Sequence, residues 1–446
     1  MSTEEYLLYL ALRSRELGHP FAEVNLRKRL LIVSSGGAPP MTGGPQNLYN
    51  LFSRFPDESY CILTSYDALR QRELGGKWLT ADYFFYDHPG KIERRSTFTR
   101  DDDIVPARTH RFIVKATSGV PQFGRDILYA VSQAVYLVRS IAMIVQSGTQ
   151  ILSQLKIDCL LAISDNGPSL IATYLMSRRT GIPYVLYFFD VYAGNLLQPL
   201  NYLFARFFEP RLFRSASLIL FTNDATERYY KRRYGDAFRS AVVSNSTFPE
   251  DYEGKRTPYV PREPYVVVFT GNLYWAQERS LMNLLRALHN FDFPVQVHLY
   301  IPNVPGELRR ALLSFPEVRL SSAPPSKMPD IQCRATILYL PLSWHTKSPD
   351  IIATATPGKL TEYLGSGRPI LIHAPSYAYV SSYARQAGFA HVVDKEDPQI
   401  LRESIRKLAL DVQYSRKLIK NAKRILKENH DATLNAQKLA GLLNTL

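Results

Sequence analysis

The sequence predicts an α/β protein with two doubly wound, Rossmann-like domains that face each other across a cleft. Short apolar segments alternate with helical patterns over most of the chain, as expected for a parallel sheet covered by helices on both faces. A segment rich in proline and charge interrupts this alternation near the middle, and the alternation then restarts. At 446 residues the chain also exceeds the usual size of one hydrophobic core.

The N-terminal half begins with a predicted helix at about 3–17, followed by the apolar segment RLLIVSS and a loop rich in glycine and proline. A second strand is predicted at 60–66. Apolar residues at three- and four-residue steps then predict a long helix over 126–155. Strands and helices alternate from there through DCLLAIS, helix 168–179, PYVLYFF, helix 196–213, SLILFT, helix 225–234 and SAVVSN.

The C-terminal half repeats the pattern after the linker. Its predicted elements are YVVVFTG, helix 279–290, VQVHLYI, helix 306–313, ATILYLPL, helix 359–365, PILIHA and helix 377–387. We therefore predict an N-terminal helix at 1–25, a first domain at 26–247, a linker at 248–264 and a second domain at 265–425. A last helix, 426–446, is expected to pack back toward the first domain.

Charge and cysteine content narrow the function classes. The 54 Lys and Arg exceed the 40 Asp and Glu by 14, which favours anionic partners such as phosphorylated ligands or acidic lipid surfaces. No zinc-finger spacing, RNP-like stretch or basic zipper points to nucleic acid. The three cysteines lie in apolar runs, and the start of the chain lacks a secretory pattern, so a cytoplasmic location is expected. No metal-ligand spacing is present, and no metal is expected.

Open parallel sheets bind ligands at the carboxyl ends of their strands, so the loops that follow strands are the candidate sites. The first such loop, Ser34–Gly44, contains Gly43 and Gly44, which would let the backbone approach a ligand closely. A surface turn is an equally good interpretation of this loop. Asp190 follows the strand PYVLYFF and is a candidate site carboxylate, or alternatively the N-cap of the next helix.

Two segments of the second half carry candidate phosphate-binding cations. In the first, Gly271 and Asn272 end a strand and Arg279 falls near a helix start, where a guanidinium would suit a pyrophosphate. A solvated arginine is the alternative. In the second, Pro357 and Gly358 precede a short helix that begins KLTE.

That helix places Lys359 and Glu362 on one face, with Leu360 between them. Lysine can neutralise a phosphate, and a carboxylate can accept two hydrogen bonds from a ribose diol. The alternative is a surface ion pair of little energetic value.

Taken in order, these segments resemble the retaining GT-B glycosyltransferases of family four. The segment TGNLY with Arg279 resembles the donor-phosphate loop of that family, and PGKLTEYLGSGRPIL resembles its donor-binding block. The Gly43–Gly44 loop resembles the family's first-domain glycine loop. The resemblance covers nearly the whole chain, and it implies a GT-B fold.

The resemblance also implies roles for individual residues. Arg279 and Lys359 would hold the diphosphate of a nucleotide-sugar donor, Glu362 would bind the ribose, and Asp190 would lie near the transferred sugar or the acceptor. Two positions depart from the family pattern. Thr354 occupies a position that is often glutamate, a role that Asp350 is proposed to cover, and Asn272 replaces the usual arginine.

The implied activity is metal-independent, cofactor-free hexosyl transfer with retention, from a nucleotide-diphosphate sugar to a glycan or lipid-linked acceptor in polysaccharide synthesis. Two alternatives are a non-catalytic nucleotide-sugar-binding component of an assembly complex and a GT-B-like sugar-nucleotide epimerase. The helix 126–155, the stretch NYLFARFFEPRLFR and the positive charge suggest peripheral contact with an anionic membrane face, although a core-facing helix is the commoner explanation. Alanine at Arg279 or at Lys359 is expected to lower turnover by about two orders of magnitude.

Overall fold

The computed structural model describes residues 24–35, 43–65, 78–87, 93–95, 122–165, 167–195 and 199–446. The predicted helix at 3–17 and most of the first glycine-rich loop lie outside these residues. Two sheets, each flanked by helices, account for the described chain.

The first sheet belongs to the N-terminal half. Its strands are Leu30–Ser34 (β1), Tyr60–Thr64 (β2), Asp82–Phe85 (β3), Glu93–Arg95 (β4), Cys159–Ile163 (β5), Tyr184–Phe188 (β6), Leu218–Phe221 (β7) and Ser240–Val242 (β8). Its helices are Gly44–Phe52 (α1), Gln122–Gln154 (α2), Pro168–Thr180 (α3), Pro199–Ser215 (α4) and Asp224–Tyr234 (α5). The strand order is β4-β3-β2-β1-β5-β6-β7-β8, and of these neighbouring pairs only β3 and β4 are antiparallel.

The second sheet is entirely parallel, in the order β11-β10-β9-β12-β13-β14. Its strands are Tyr265–Thr270 (β9), Val295–Tyr300 (β10), Val318–Ser321 (β11), Ile337–Pro341 (β12), Ile370–His373 (β13) and His391–Val393 (β14). The helices are Trp275–Leu288 (α6), Gly306–Leu313 (α7), Met328–Arg334 (α8), Pro349–Thr354 (α9), Lys359–Gly365 (α10), Tyr379–Ala387 (α11), Pro398–Leu410 (α12), Val412–Ile425 (α13) and Ala432–Asn444 (α14).

Most strands, such as β1, β5 and β12, are buried on both faces, which explains why they are apolar throughout. In β10, by contrast, buried apolar residues alternate with half-buried ones. In β1, Leu30 and Ile32 point into one hydrophobic cluster, and Leu31 and Val33 point into a second cluster on the opposite face. The second sheet likewise separates two clusters. A parallel sheet with helices on both sides requires this burial pattern.

Each sheet has a point where the strand order reverses. In the first sheet β1 pairs with both β2 and β5, and in the second sheet β9 pairs with both β10 and β12. Because connections leave in opposite directions at such a point, a crevice opens at the carboxyl ends of the two central strands. Ligands are therefore expected beside the ends of β1 and β5, and beside the ends of β9 and β12.

The last helix returns to the first domain. The amide of Thr247 donates to the carbonyl of His430 at 3.0 Å, and the amide of Ala432 donates to the carbonyl of Thr247 at 3.0 Å. Beyond this crossing, Leu439 and Leu443 of α14 pack into the hydrophobic cluster that covers one face of the first sheet. The two domains are thus joined by two crossings of the chain.

Candidate active site

The loop after β9 and the start of α10 meet at the reversal point of the second sheet. Gly271 has a φ of +93°, which a residue with a side chain rarely adopts. The Lys359 ammonium lies against this loop, 3.5 Å from the carbonyl oxygen of Asn272 and 3.2 Å from Oε1 of Gln277. It also lies 3.9 Å from the centre of the Phe269 ring. The structure therefore places the Lys359 side chain directly at the crevice of the second domain.

Burial changes the protonation of this lysine. Loss of hydration lowers the pKa of Lys359 to about 7, although the Glu362 carboxylate acts in the opposite direction. Near neutral pH the ammonium is therefore only partly protonated. An anion bound beside it would favour the charged form and raise this pKa again.

Glu362 lies three residues along α10 and is held by a neighbour that the sequence analysis did not single out. Its Oε2 accepts a hydrogen bond of 2.7 Å from Nε2 of Gln332. The same amide group of Gln332 donates to Oγ1 of Thr270 at 3.2 Å, and its Oε1 accepts from the Tyr252 hydroxyl at 2.9 Å. Burial raises the pKa of Glu362. Gln332 thus fixes the carboxylate that was expected to bind ribose.

Arg279 has different partners from Lys359. Its Nε lies 3.0 Å from Oε1 of Glu396, and its side chain is 52% exposed. The helix start predicted at Arg279 is wrong, because α6 begins at Trp275 and Arg279 lies more than one turn inside the helix. Gln277 is the α6 residue that faces Lys359, and two residues on a helix differ by about 200° in direction. The guanidinium therefore points away from the ammonium.

Other residues of the predicted donor-binding block have structural positions. Leu360 is fully buried in the core of the second domain, so its side chain does not face the cleft. Gly358 is the exposed N-cap of α10, and the carbonyl of Pro357 accepts the first backbone hydrogen bond of the turn, from Leu360, at 2.8 Å. Lys359 and Glu362 are the charged residues at the start of α10, and their side chains contact the loop after β9 and Gln332.

Asp190 extends from the end of β6 on the other side of the cleft. Water reaches its side chain, yet the surrounding protein raises its pKa by desolvation. Burial and the negative charge of Asp190 together raise the pKa of Tyr274, in the loop before α6, to about 12. Asp190 of the first domain and Tyr274 of the second are therefore close enough to interact across the cleft.

The loop that follows Asp190 is not a helix, so Asp190 is not an N-cap. The backbone of this loop is instead held by hydrogen bonds to buried side chains. The amide of Tyr192 donates to the Tyr230 hydroxyl at 2.8 Å, and the amide of Ala193 donates to Oε1 of the buried Glu209 at 3.0 Å. These bonds fix the backbone directly after the candidate carboxylate.

Gly43 and Gly44 start α1 beside the same strand end. Gly43 has a φ of +80° and is the N-cap of the helix. A Cβ on Gly44 would lie only 2.8 Å from Cδ2 of Phe189, the residue before Asp190. The absent side chain at Gly44 allows the helix to start this close to the candidate site.

Gly44→Ala is expected to destabilise the protein by about 1–3 kcal/mol, because the new methyl group must displace the Phe189 ring. Thermal unfolding measures the effect. Gly441→Ala is the matched control, since outside the backbone of α14 itself no atom lies within 4 Å of the added methyl group, and alanine favours the helix. An equal change in melting temperature for the two variants would contradict the proposed contact.

Asp165 is a site carboxylate that the sequence analysis missed. It follows β5 at the reversal point of the first sheet, and it accepts from Ser35 Oγ at 2.5 Å and from the amides of Gly167 and Ser169 at 2.7 and 3.0 Å. Burial raises the pKa of Asp165, although these hydrogen bonds favour the ionised form and act in the opposite direction. The sequence could have identified Asp165 as a candidate, because it follows an apolar strand just as Asp190 does. Its bonds tie the loop after β1 to the start of α3.

Thr354, where the resembled family often has glutamate, joins the two domains. Its carbonyl accepts a 2.8 Å bond from Nδ2 of Asn223, which also donates to Oγ1 of Thr356 at 2.9 Å. The Tyr229 hydroxyl donates to Asp350 at 3.2 Å. These bonds set the relative position of the cleft walls. Within the described ranges, no three His, Cys, Asp or Glu side chains gather into a group that could hold a metal ion.

Neither a protein-family profile nor a curated protein sequence matches the chain. Solved structures do match it. Sucrose-phosphate synthase from Thermosynechococcus elongatus superposes with a TM-score of 0.64 at 12% identity, over 94% of this chain and 99% of that one. HepE from Anabaena, solved with UDP, gives a TM-score of 0.62 at 14% identity, over 94% and 100%.

An α,α-trehalose 6-phosphate synthase from Burkholderia multivorans gives a TM-score of 0.59 at 12% identity, over 94% of this chain and 96% of that one. At such identities the similarity concerns the fold, and it extends over both domains and the crevice between them. The chain has two doubly wound sheets that meet at a cleft, and it superposes on these structures over nearly its whole length. It therefore has the GT-B fold.

Proposed function

We propose that this protein is a glycosyltransferase that uses a nucleotide-diphosphate sugar as donor. The observation that carries the proposal is the Lys359 ammonium beneath the Gly271–Asn272 loop, at the reversal point of the second sheet, with Glu362 on the same helical face. HepE, which has the same fold, was solved with UDP and with UDP-glucose. That finding supports a nucleotide sugar as the ligand class.

In the proposed reaction the nucleoside diphosphate leaves and accumulates negative charge. Lys359 and the first backbone N–H groups of α6 stabilise that charge, which is electrostatic catalysis by groups already in place. Because a protein cation supplies the stabilisation, the proposed step uses no metal and no cofactor. Transfer with retention rests on the family resemblance.

The proposed donor orientation follows from the residues on either side of Lys359. Glu362 accepts hydrogen bonds from the ribose hydroxyls, with Gln332 holding its other oxygen. The sugar then extends toward the opposite wall, where Asp190 lies near Tyr274. Asp190 contacts the transferred sugar or the acceptor hydroxyl, and the acceptor is a glycan or a lipid-linked molecule.

The proposal is tested by screening uridine, guanosine and adenosine diphosphate sugars for binding, and then for slow release of the nucleoside diphosphate. We expect one nucleotide class to raise the melting temperature and to be hydrolysed slowly without acceptor. If none of them binds, the proposal fails. An isomerised donor would indicate an epimerase instead.

A non-catalytic nucleotide-sugar-binding protein is the second candidate. Two observations favour it: Arg279 is neutralised by Glu396, and Asn272 stands where the resembled family has a second cation at the loop. Tight binding of a nucleotide sugar without release of nucleoside diphosphate, in the presence of acceptor candidates, would support this candidate over the transferase.

The pKa of Lys359 predicts a proton linkage in donor binding. Below about pH 7 the lysine is already charged, whereas above it the free protein holds a neutral amine that must take up a proton when the diphosphate binds. We expect uptake of nearly one proton per nucleotide at about pH 8, and weaker binding as the pH rises from there. Calorimetry in buffers of different ionisation enthalpy measures the uptake, and uptake that persists in Lys359→Met would contradict this assignment.

A further inference from the structure

Exposed apolar side chains are concentrated on two neighbouring helices of the first domain. Of the seventeen exposed large apolar side chains in the described residues, ten belong to α2 and α4, which pack against each other. We call them the α2–α4 face. Its members are Leu128, Tyr129, Val131, Val135, Tyr136, Val138, Leu200, Tyr202, Leu203 and Phe207. So large an apolar surface marks a binding site for a membrane or a protein.

In each of the two helices most of the exposed apolar side chains lie along one side. In α4, Leu200, Leu203 and Phe207 follow one another at three- and four-residue steps, and Leu203 is 62% exposed. By length and composition α2 could cross a membrane. However, Ile141, Ile144 and Ile151 are buried in the core of the first domain, so α2 belongs to the folded domain and its exposed part can only lie on a surface.

The exposed charged side chains that the structure describes on α2 and α4 are all positive. Among the described side chains of the two helices, the exposed charged groups are Arg139, Arg206, Arg211 and Arg214. The one acidic side chain among them, Glu209, is buried and accepts hydrogen bonds from the hydroxyls of Tyr230 and Tyr234. Apolar residues beside unopposed arginines are the combination that binds anionic lipid surfaces.

A second copy of the chain fits this surface less well. In a two-fold dimer the same face would meet itself and bring the arginines of both copies together, and none of the described side chains of α2 and α4 is an exposed acid that could pair with them. Lipid phosphates supply the missing negative charge. We propose that the α2–α4 face docks the protein on an anionic lipid bilayer.

Docking would also place the cleft near the membrane. The helix α4 begins at Pro199, shortly after Asp190 in the chain, and its Glu209 accepts from the amide of Ala193 in the loop between them. The surface that binds lipid is therefore tied directly to the wall of the cleft. If the proposed function holds, the acceptor in this arrangement is carried by a lipid in the same bilayer.

The test is co-sedimentation of the full chain with vesicles of phosphatidylcholine, with and without phosphatidylglycerol, at low and high salt. We expect binding to the anionic vesicles, weakened by salt. The double variant Leu203→Asp/Phe207→Asp should reduce the vesicle partition coefficient by about tenfold or more, because it places two carboxylates on the apolar face. Arg211→Glu/Arg214→Glu should reduce it too, with a weaker dependence on salt.

The matched control is Leu410→Asp/Leu434→Asp, which changes two similarly exposed leucines on α12 and α14 and should leave vesicle binding unchanged. Three results would overturn the proposal: no binding of the unchanged protein to anionic vesicles, equal binding by Leu203→Asp/Phe207→Asp, or a dimer in solution that this variant dissociates. Nucleotide-sugar binding, measured without vesicles in every variant, reports folding and tests the proposed function separately from docking.

Discussion

Replacing Lys359 by alanine is expected to lower turnover by about a hundredfold or more. The ammonium is the charged side-chain group that the structure places against the Gly271–Asn272 loop, and the departing diphosphate needs positive charge most in the transition state. Lys359→Met, which keeps the apolar stem over Phe269 and removes the charge, should show nearly the same loss. Steady-state release of nucleoside diphosphate measures both variants.

Lys327→Ala, an exposed lysine of the same domain, is the control and should keep full activity. Arg279→Ala makes an informative comparison. Its guanidinium is half exposed and paired with Glu396. We therefore expect Arg279→Ala to lose much less turnover than Lys359→Ala, whereas the sequence alone predicts equal losses for the two variants. Full activity of Lys359→Met would refute the role of this lysine, and a hundredfold loss in Arg279→Ala would show that the Glu396 pair opens on donor binding.

Replacing Glu362 by alanine is expected to weaken donor binding by roughly tenfold to a hundredfold. A hydrogen bond to a charged group contributes about 1.5–3 kcal/mol, and this carboxylate is positioned to accept from the ribose. The loss should appear mainly in the KM for the donor, because the ribose does not change during the reaction. Calorimetric titration with the nucleoside diphosphate measures the affinity directly.

The control for this prediction is Glu403→Ala, which removes an exposed carboxylate from α12 of the same domain. Glu362→Gln keeps the size of the side chain and one hydrogen-bond acceptor, so it should lie between the wild type and Glu362→Ala. If Glu362→Ala bound the diphosphate as well as the wild type did, this carboxylate would have no part in the donor site.

The fold was predictable because burial on both faces makes parallel strands apolar along their whole length. Segments such as Cys159–Ile163 and Tyr265–Thr270 stand out in the sequence for this reason. Short strands at or near the sheet edges do not. The strand Val318–Ser321 buries only its first residue fully, and the three-residue strand His391–Val393 buries only its last. Neither could be separated from a loop by hydrophobic pattern alone.

Of the candidate site, Lys359, Glu362, Gly271 and Asp190 could be singled out in the sequence because they follow strands or lie at the start of a helix, and the structure places them at the edges of the sheets. The direction of Arg279 was not predictable, since it depends on which face of α6 is buried. The buried residues of α6, among them Gln277, Ser280 and Leu281, fix that rotation. An error of one turn in the predicted start of α6 was enough to change the expected partner of Arg279 from a donor phosphate to Glu396.

Gln332 could not be found by any pattern of spacing. It lies on α8, thirty residues before Glu362 in the chain, and only the packing of α8 beside α10 and β9 brings the amide to the carboxylate. Asp165 could have been found, because it follows an apolar strand, but its importance depends on the sheet order. Only the pairing of β1 with β5 places it at the point of reversal.

The most direct test is a crystal structure of the protein with the nucleoside diphosphate that the binding screen selects. We predict that Nζ of Lys359 lies within about 3 Å of a phosphate oxygen and that the Glu362 carboxylate accepts from the ribose hydroxyls. The proposed donor site would be contradicted if the phosphates bound outside the crevice between Gly271 and α10. In that case Lys359 would still be bonded to Gln277, and Glu362 would face no ribose.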